Sequence, residues 1–136
     1  MRTSYDKYFM QMAHLVATRA TCDRKHVGAV IVKDNRVLST GYNGSLPGAP
    51  HCDTDGHLMV DGHCVRTVHA EANAIAHAAK HGVPLDGSTL YVTASPCPTC
   101  YKLAVSAGIQ RIVYDEYYKS DIIPSLQGGV PMEKLP

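Results

Sequence analysis

The sequence predicts an α/β fold, a sheet covered by helices, and three observations support this prediction. Val27–Val32 is a near-continuous apolar run rich in β-branched residues, as expected of a strand buried on both faces. After residue 69 the helix and strand patterns alternate, which favours strand–helix–strand units. The 136 residues, 45% hydrophobic and 18% charged, suit one domain with its own core. We therefore expect a single domain over residues 1–136.

The first expected helix spans Tyr5–Ala20. Apolar residues recur there at three- and four-residue spacing, which indicates one buried stripe. The stripe comprises Tyr8, Phe9, Met12, Leu15 and Val16. Ser4 is a suitable N-cap, because its hydroxyl can accept a backbone N–H of the first turn.

The later elements follow from turn residues, β-branched runs and helix stops. Asp34-Asn35 predicts a turn, so the next run is the returning strand of a hairpin. Helices are expected where alanine-rich or proline-initiated segments end at a glycine. The expected strands are Val37–Tyr42, Ser88–Ala94 and Arg111–Tyr114, the expected helices are His69–His81, Pro98–Ala107 and a short Asp121–Gln127, and Gly128–Pro136 is expected to be a loosely packed tail.

Composition and charge argue against several classes of protein. The formal net charge is only +1, whereas a large nucleic-acid interface usually needs a basic stripe. There is no apolar run of membrane-spanning length, and Met1–Tyr8 lacks the apolar core of a signal peptide. The five cysteines are an odd number, which favours metal binding over a disulfide framework. We expect a cytoplasmic protein with neither nucleic-acid nor membrane partners.

Pro96–Cys100, Pro-Cys-Pro-Thr-Cys, has the character of half a metal site. Cys97 and Cys100 lie three positions apart at the start of an expected helix, so both sulfurs can reach one ion. His69 opens the preceding helix, and the N-termini of two such helices converge at one edge of an α/β sheet. Three protein ligands leave a fourth position open, as catalytic zinc requires. Glu71, close to His69 but pointing elsewhere, is the expected proton carrier.

Neither half of this pattern is specific alone. A Cys-x-x-Cys pair also occurs in redox proteins, and His-x-Glu is common. Their combination in this order is the signature of zinc-dependent nucleobase deaminases. A structural zinc without chemistry is the alternative, and it would leave the open position unexplained.

Ser45–Val68 is long for a loop in a compact domain and is rich in potential ligands. We predict a second, structural zinc bound by four residues. These are Cys22, Cys52, His57 and Cys64. The alternative is that they are ordinary thiols and an imidazole, because their spacing matches no standard zinc pattern.

With these motifs in view, the chain resembles the cytidine deaminase-like superfamily and, within it, the dCMP deaminases. The resemblance covers roughly Tyr8–Lys119. Its most specific parts are Val27–Val30, Gly41–Gly44, Gly62–Glu71, Tyr91–Thr93 and Ser95–Cys100. The resemblance implies a three-layer α/β/α fold with a mixed five-stranded central sheet. It also implies a catalytic zinc and hydrolysis of dCMP to dUMP and ammonia, which supplies the precursor of thymidylate.

The resemblance further implies a mechanism and a substrate site. A zinc-bound hydroxide attacks C4 of cytosine, while Glu71 protonates N3 and then the leaving amine. Asn43 is expected to bind the sugar hydroxyl and Tyr118 to contact the nucleotide. The expected substrate-binding residues are Asn43, Arg24, Lys25, Ala70, Tyr118 and Lys119. For the basic residues, which would bind the 5′-phosphate, a solvated surface charge is the alternative.

Oligomeric state and regulation also come from the resemblance. It implies a homo-oligomer, often a hexamer, activated by dCTP with Mg²⁺ and inhibited by dTTP, with Tyr42 and Gly44 in the allosteric nucleotide region. The match fades after Lys119, where the closing helix and strand of the family look shortened. Other functions remain open: deamination of adenosine in tRNA, of a free nucleoside or of a pterin or flavin precursor, or nucleotide binding by an inactive regulator.

Overall fold

The computed structural model describes residues 2–22, 25–118 and 122–136. In this part of the chain the helices are α1 Tyr5–Ala17, α2 Cys52–Asp55, α3 Ala70–Lys80 and α4 Pro98–Ser106, with a 3-10 turn over Ile123–Leu126. The strands are β1 Gly28–Lys33, β2 Arg36–Tyr42, β3 Gly44–Ser45, β4 Met59–Val60, β5 His63–Cys64, β6 Thr67–Val68, β7 Thr89–Ala94, β8 Arg111–Glu116 and β9 Met132–Lys134. Within these ranges no helix combines the length and the apolar character needed to cross a bilayer.

A mixed five-stranded sheet in the order β2-β1-β7-β8-β9 forms the centre of the molecule. β1 runs antiparallel to β2 and β7, while β7, β8 and β9 are parallel to one another. The β1–β2 turn has positive φ at Asp34 and Asn35, 52° and 59°. Both side chains tolerate that conformation, and the predicted hairpin is confirmed.

Helices cover both faces of the sheet because β1 sends alternate side chains into two cores. Val30 and Val32 join the core that α1 completes with Phe9 and Met10. Ile31 joins the larger core beneath α3 and α4. The three-layer α/β/α fold with a mixed five-stranded sheet is therefore confirmed.

The predicted buried stripe of α1 is wrong in its phase. Phe9 is buried as expected, but Leu15 is 70% exposed and Tyr8 is 46% exposed. The buried face also includes the small residue Ala13, which packs directly on β1. A side chain at Gly28 would overlap the backbone of Ala13, so small residues on both elements set the contact. The helix ends at Ala17 rather than Ala20.

The prediction of a loosely packed tail is also wrong. Met132–Lys134 forms β9, which pairs with β8 at the edge of the sheet, with Met132 opposite Ile112. The expected helix over Asp121–Gln127 is a 3-10 turn, and Asp121 lies outside the described residues. Pairing with β8 makes the strand, and a three-residue segment carries too little local pattern to predict it.

Candidate active site

The structure brings His69, Cys97 and Cys100 together. The Nδ1 atom of His69 lies 3.5 Å from the Sγ atom of Cys97 and 3.4 Å from that of Cys100. One donor atom from each residue lies within 4.8 Å of the others. We call these three residues the catalytic cluster.

Two helix N-termini hold the catalytic cluster. His69 is the N-cap of α3, and its imidazole makes no capping hydrogen bond. Cys97 is the N-cap of α4, where its Sγ atom accepts the backbone N–H of Cys100 at 3.4 Å. The positive end of a helix dipole favours the thiolate over the thiol.

The three ligands of the catalytic cluster differ in acidity, and Cys97 is the one ready thiolate. Hydrogen bonds from Cys100 and His69 lower the pKa of Cys97 to about 4. The same hydrogen bond with Cys97, together with burial, raises the pKa of Cys100. The hydrogen bond to Cys97 also raises the pKa of His69. A thiolate pair and an imidazole are the donor set that zinc prefers, and three ligands leave a fourth position for water or substrate. The residues present therefore fit a catalytic zinc.

Glu71 lies in the first turn of α3, two residues after His69, and is only 4% exposed. Burial raises the pKa of its carboxyl to about 7. A carboxyl with a pKa near ambient pH can both accept and return a proton. Glu71 can therefore do the proton transfer that the sequence pattern predicts for it.

A cavity of about 430 Å³ lies beside the catalytic cluster. This volume is in the range of small-molecule sites. The lining includes predicted site residues and others that the sequence did not indicate. It comprises Cys22, Lys25, Val27, Asn43, Cys64, Thr67, His69, Ala70, Glu71, Ala94, Ser95, Cys97 and Tyr118.

Four of the six predicted substrate-binding residues line this cavity: Lys25, Asn43, Ala70 and Tyr118. The other two, Arg24 and Lys119, lie outside the described residues. The Nζ atom of Lys25 lies 4.6 Å from the centroid of the Tyr118 ring and 4.0 Å from a carboxylate oxygen of Glu116. Lys25 and Tyr118 thus form one contact at the wall of the cavity, although they come from distant parts of the chain.

Asn43 is buried and holds the backbone of the neighbouring segment. Its Oδ1 atom accepts the N–H of Val27 at 2.8 Å, and its Nδ2 atom donates to the carbonyl oxygen of Lys25 at 2.6 Å. A side-chain amide has two N–H groups and two lone pairs, so one of each remains for a ligand. The structure therefore gives Asn43 a positioning role that the sequence did not indicate.

A second group of ligands adjoins the same cavity, whose lining includes Cys22 and Cys64. One donor atom each from Cys22, Cys52, His57 and Cys64 lies within 4.8 Å of the others. The Sγ atom of Cys22 is 3.6 Å from Nδ1 of His57, and the Sγ atoms of Cys52 and Cys64 are 3.5 Å apart. We call these four residues the loop cluster. Four soft ligands fit a closed, structural zinc site.

The thiols of the loop cluster differ in acidity. Burial, together with hydrogen bonds to its cysteine neighbours, raises the pKa of Cys52 to about 12. Desolvation also acts on Cys64, but backbone hydrogen bonds from the 58–66 region outweigh it and lower the pKa to about 6. The pair therefore contains one ready thiolate, which is the form that binds metal.

The long Ser45–Val68 loop contains short local structure. β3 pairs with β6, and β4 pairs with β5, in two small antiparallel ladders. The Nε atom of Arg66 donates to the carbonyl oxygen of Gly56 at 3.0 Å, so this arginine holds the loop. Few core contacts accompany these ladders, because Leu58, Met59 and Val60 remain about half exposed.

Tyr42 and Gly44, the predicted allosteric residues, have structural contacts. The carbonyl oxygen of Tyr42 accepts the Nδ2 atom of Asn73 at 2.8 Å, and Gly44 pairs with Val68. Among the described residues, the lining of the 430 Å³ cavity includes neither of them.

The sequence did not indicate Ser95 or Thr67, although both line the cavity. Ser95 lies immediately before Pro96–Cys100, the motif that predicted the zinc site. Its hydroxyl bonds to the backbone of Tyr118, which lies 23 residues later. The neighbouring motif is the only signal in the sequence that points to Ser95. Its contact with Tyr118 arises from the pairing of β7 with β8, which the sequence does not reveal.

Known proteins match this chain over almost its whole length. A family model described as the cytidine and deoxycytidylate deaminase zinc-binding region matches residues 3–116. ComE operon protein 2 of Bacillus subtilis is 51% identical over 137 residues, which cover 98% of this chain and 72% of that protein. Deoxycytidylate deaminase of Mycobacterium phage D29 is 43% identical over 125 residues, covering 83% of this chain and 95% of the phage protein.

A solved structure matches the fold equally well. The crystal structure of dCMP deaminase from the cyanophage S-TIM5, in complex with dCMP and dUMP, has a TM-score of 0.85 at 33% identity. The match covers 99% of each chain. The likeness therefore includes β9 and extends beyond Lys119, as does the sequence match to ComE operon protein 2, so the expected fading of the match after Lys119 is wrong for these two proteins.

Proposed function

This chain belongs to the cytidine and deoxycytidylate deaminase family, and from this premise we propose that it hydrolyses dCMP to dUMP and ammonia. One observation carries the proposal: His69 and Cys97 of the catalytic cluster line one cavity of about 430 Å³ together with the buried Glu71. The similarity to a phage protein named deoxycytidylate deaminase, and to a cyanophage enzyme solved with dCMP and dUMP, supports this choice of substrate.

The chemistry is divided between a metal and the protein. A zinc ion at His69, Cys97 and Cys100, when bound, supplies an activated water by lowering its pKa to about 7. The protein supplies the proton transfers. Glu71 takes up a proton from the attacking water and delivers it to N3 of cytosine. It then takes up the second proton of that water and delivers it to the amino group, which departs as ammonia. Its burial and raised pKa suit both steps.

The wall of the cavity opposite Glu71 is proposed to bind the nucleotide. The remaining N–H and lone pair of Asn43 can bond to the sugar hydroxyl. We place the base against Ala70 and the phosphate end against Lys25 and Tyr118, all three of which line the cavity. Arg24 and Lys119 remain predicted phosphate ligands, next to Lys25 and Tyr118 in the sequence.

We also propose that the loop cluster binds a second, structural zinc. Its four donor atoms lie close enough to share one ion, and the loop that carries three of them leaves Leu58, Met59 and Val60 about half exposed. Elemental analysis of purified protein tests this directly. A zinc-to-protein ratio near two supports the second site, and a ratio near one removes it.

Assembly and regulation are proposed from the family. We expect a cytoplasmic homo-oligomer, a hexamer, that is activated by dCTP with Mg²⁺, inhibited by dTTP, and supplies dUMP for thymidylate. Tyr42 and Gly44 remain the proposed effector region. Analytical ultracentrifugation, together with rate measurements at graded dCTP and dTTP, tests these expectations. A monomer that responds to neither nucleotide would contradict them.

Ammonia release from dCMP is the decisive assay. Zinc-replete protein should turn over dCMP, and a chelator should stop the reaction. A parallel panel of deoxycytidine, cytidine and tRNA measures the substrate preference. Absence of dCMP turnover in zinc-replete protein would overturn the proposed function, and a preference for the nucleosides would count against Lys25 and its neighbours as phosphate ligands.

A further inference from the structure

We propose that Ser95 is a positioning residue for nucleotide recognition: through the backbone of Tyr118 it fixes the aromatic ring on which the Lys25 ammonium rests. The inference rests on the proposed deamination of dCMP. It assigns to the serine of the Ser-Pro-Cys motif a role in substrate preference, separate from the metal ligands that follow it.

Ser95 is 5% exposed and follows the last residue of β7. Its backbone N–H extends the β7–β8 pairing by donating to the carbonyl oxygen of Glu116 at 2.9 Å. Its hydroxyl makes two further bonds to one residue. The Oγ atom accepts the N–H of Tyr118 at 2.6 Å and donates to the carbonyl oxygen of Tyr118 at 3.0 Å.

One hydroxyl therefore fixes the peptide groups on both sides of Tyr118. A hydroxyl has one proton and two lone pairs, so both bonds can exist together. Tyr118 lies beyond the end of β8, where pairing with β7 no longer holds the backbone. Removal of the hydroxyl would leave two backbone groups of Tyr118 without these partners.

The tyrosine held in this way carries the cationic side of the cavity. Among the described residues that line the cavity, Lys25 is the only lysine or arginine, and its Nζ atom lies 4.6 Å from the ring centroid of Tyr118. On the opposite side, Asn43 holds the carbonyl oxygen of Lys25. Two buried polar side chains, Asn43 and Ser95, thus fix the two halves of the Lys25–Tyr118 contact.

This arrangement has a specific chemical consequence. An ammonium at the wall of the cavity favours a phosphate-bearing substrate over the same nucleoside without phosphate. If the ring of Tyr118 moves, Lys25 loses the surface that orients it. The preference for nucleotide over nucleoside should then fall, while proton transfer at Glu71 remains intact.

Steady-state kinetics of Ser95→Ala with dCMP and deoxycytidine test the proposal. We expect the KM for dCMP to rise about tenfold, the size of effect that loss of a buried hydrogen-bonded group produces, while kcat falls much less. The KM for deoxycytidine should change by less than about twofold, because this substrate has no phosphate for Lys25 to bind. Zinc content should match the wild type, which excludes damage to the catalytic cluster.

Ser88→Ala is the matched control. Ser88 is fully buried at the other end of β7 and donates its hydroxyl to the carbonyl oxygen of Leu85 at 2.6 Å, but it does not line the cavity. Both variants should lose thermal stability, and only Ser95→Ala should raise the KM for dCMP. Equal KM values in the two variants would overturn the proposal.

The single variant Tyr118→Ala keeps the test valid if Ser95→Ala folds poorly, and a double-mutant cycle extends it if Ser95→Ala folds. Tyr118 is half exposed, so Tyr118→Ala should fold, and it should raise the KM for dCMP by a similar factor. Ser95→Ala should add nothing in the Tyr118→Ala background. An unchanged KM in Tyr118→Ala, or fully additive effects, would refute the inference. Absence of dCMP turnover in the wild type would instead refute the proposed function.

Discussion

The catalytic cluster and the loop cluster border the same cavity, but different kinds of structure hold them. Two ligands of the catalytic cluster are the N-caps of α3 and α4. α3 packs closely on the sheet. A side chain at Gly41 of β2 would overlap the backbone of Ala70 and Ala74, so the glycine permits this close approach. Packing of this kind fixes the catalytic ligands without any help from a metal.

The loop cluster lies in a region with little packing of its own. Cys22 follows α1, Cys52 begins the four-residue α2, and Cys64 lies in the two-residue β5. The adjacent Leu58 and Val60 are 51% and 50% exposed. A metal bound there would hold the loop in place, which the packing of its own side chains does not do. The fold therefore shapes the catalytic cluster, whereas the loop cluster would shape part of the fold when it holds the proposed metal.

Removal of a ligand from the catalytic cluster should have the largest effect on activity and a small effect on folding. His69→Ala leaves a site with two ligands, and we expect turnover to fall to that of chelated enzyme. The zinc-to-protein ratio should fall by one, while the thermal midpoint changes little because packing holds α3. A large loss of thermal stability would show that the catalytic cluster also supports the fold.

Loss of the proton carrier should separate chemistry from metal binding. Glu71→Gln keeps the shape of the side chain but cannot shuttle protons, so we expect kcat to fall by about 10²–10⁴-fold, as for other general acid–base residues. Zinc content by elemental analysis should remain unchanged. An unaffected rate would refute the proton-transfer role of Glu71.

Removal of a ligand from the loop cluster should produce the opposite pattern. In Cys52→Ser we expect the zinc-to-protein ratio to fall by one and the thermal midpoint to fall by roughly 5–10 °C, as expected when a ligand that stabilises the native state is lost. Limited proteolysis should cleave the chain between residues 46 and 66. If kcat fell as much as in His69→Ala, with no change in stability, the distinction between the clusters would be wrong.

The smallest effect should come from an ion pair that lies away from both clusters. Asp6 of α1 accepts two hydrogen bonds from Arg111 at 3.0 and 2.9 Å and a third from Tyr91 at 2.7 Å. The hydrogen bonds from Arg111 lower the pKa of Asp6 below its ordinary value of 3.8. A lowered carboxyl pKa stabilises the folded state above the unfolded value, and this contribution is lost as the pH falls through the folded value.

Asp6→Asn should therefore destabilise the protein by about 1 kcal/mol or less at pH 7, since the pair is partly exposed. The difference from wild type should shrink below about pH 4, where the wild-type carboxyl also becomes neutral. Thermal melts from pH 7 to pH 3 measure this, with and without chelator. A dependence on chelator would mean that the scaffold and the metal sites are coupled.

The parts of the fold that local sequence determines could be predicted. The Val27–Val32 run, the Asp34-Asn35 turn and the helix stop at Gly108 each led to an element that the structure contains. The phase of α1 could not be predicted, because close contact between Ala13 and Gly28 overrides the larger side chains. β9 could not be predicted either, because only its pairing with β8 makes it a strand.

The candidate active site also has features that the sequence predicts and others that it does not. Ligand types and spacing predicted His69, Cys97 and Cys100, and the structure places them together. The contacts of Ser95 with Tyr118 and of Asn43 with Lys25 join residues far apart in sequence, and no spacing rule indicates them. Metal ligands can be recognised in a sequence by their type and spacing. Residues that position other residues through tertiary contacts cannot.

The sheet order also has a consequence for how the chain folds. β1 pairs with β7, so all residues between them must be looped out before the sheet closes. His69 precedes β7 and Cys97 follows it, whereas the ligands of the loop cluster all precede β7 and flank the local β1–β2 hairpin. The catalytic cluster therefore needs the pairing of β7 with β1, whereas the loop cluster needs only elements that precede β7. We therefore expect refolding in the presence of zinc to complete the loop cluster first and the catalytic cluster last, and stopped-flow detection of metal uptake in the His69→Ala and Cys52→Ser variants would distinguish the two steps.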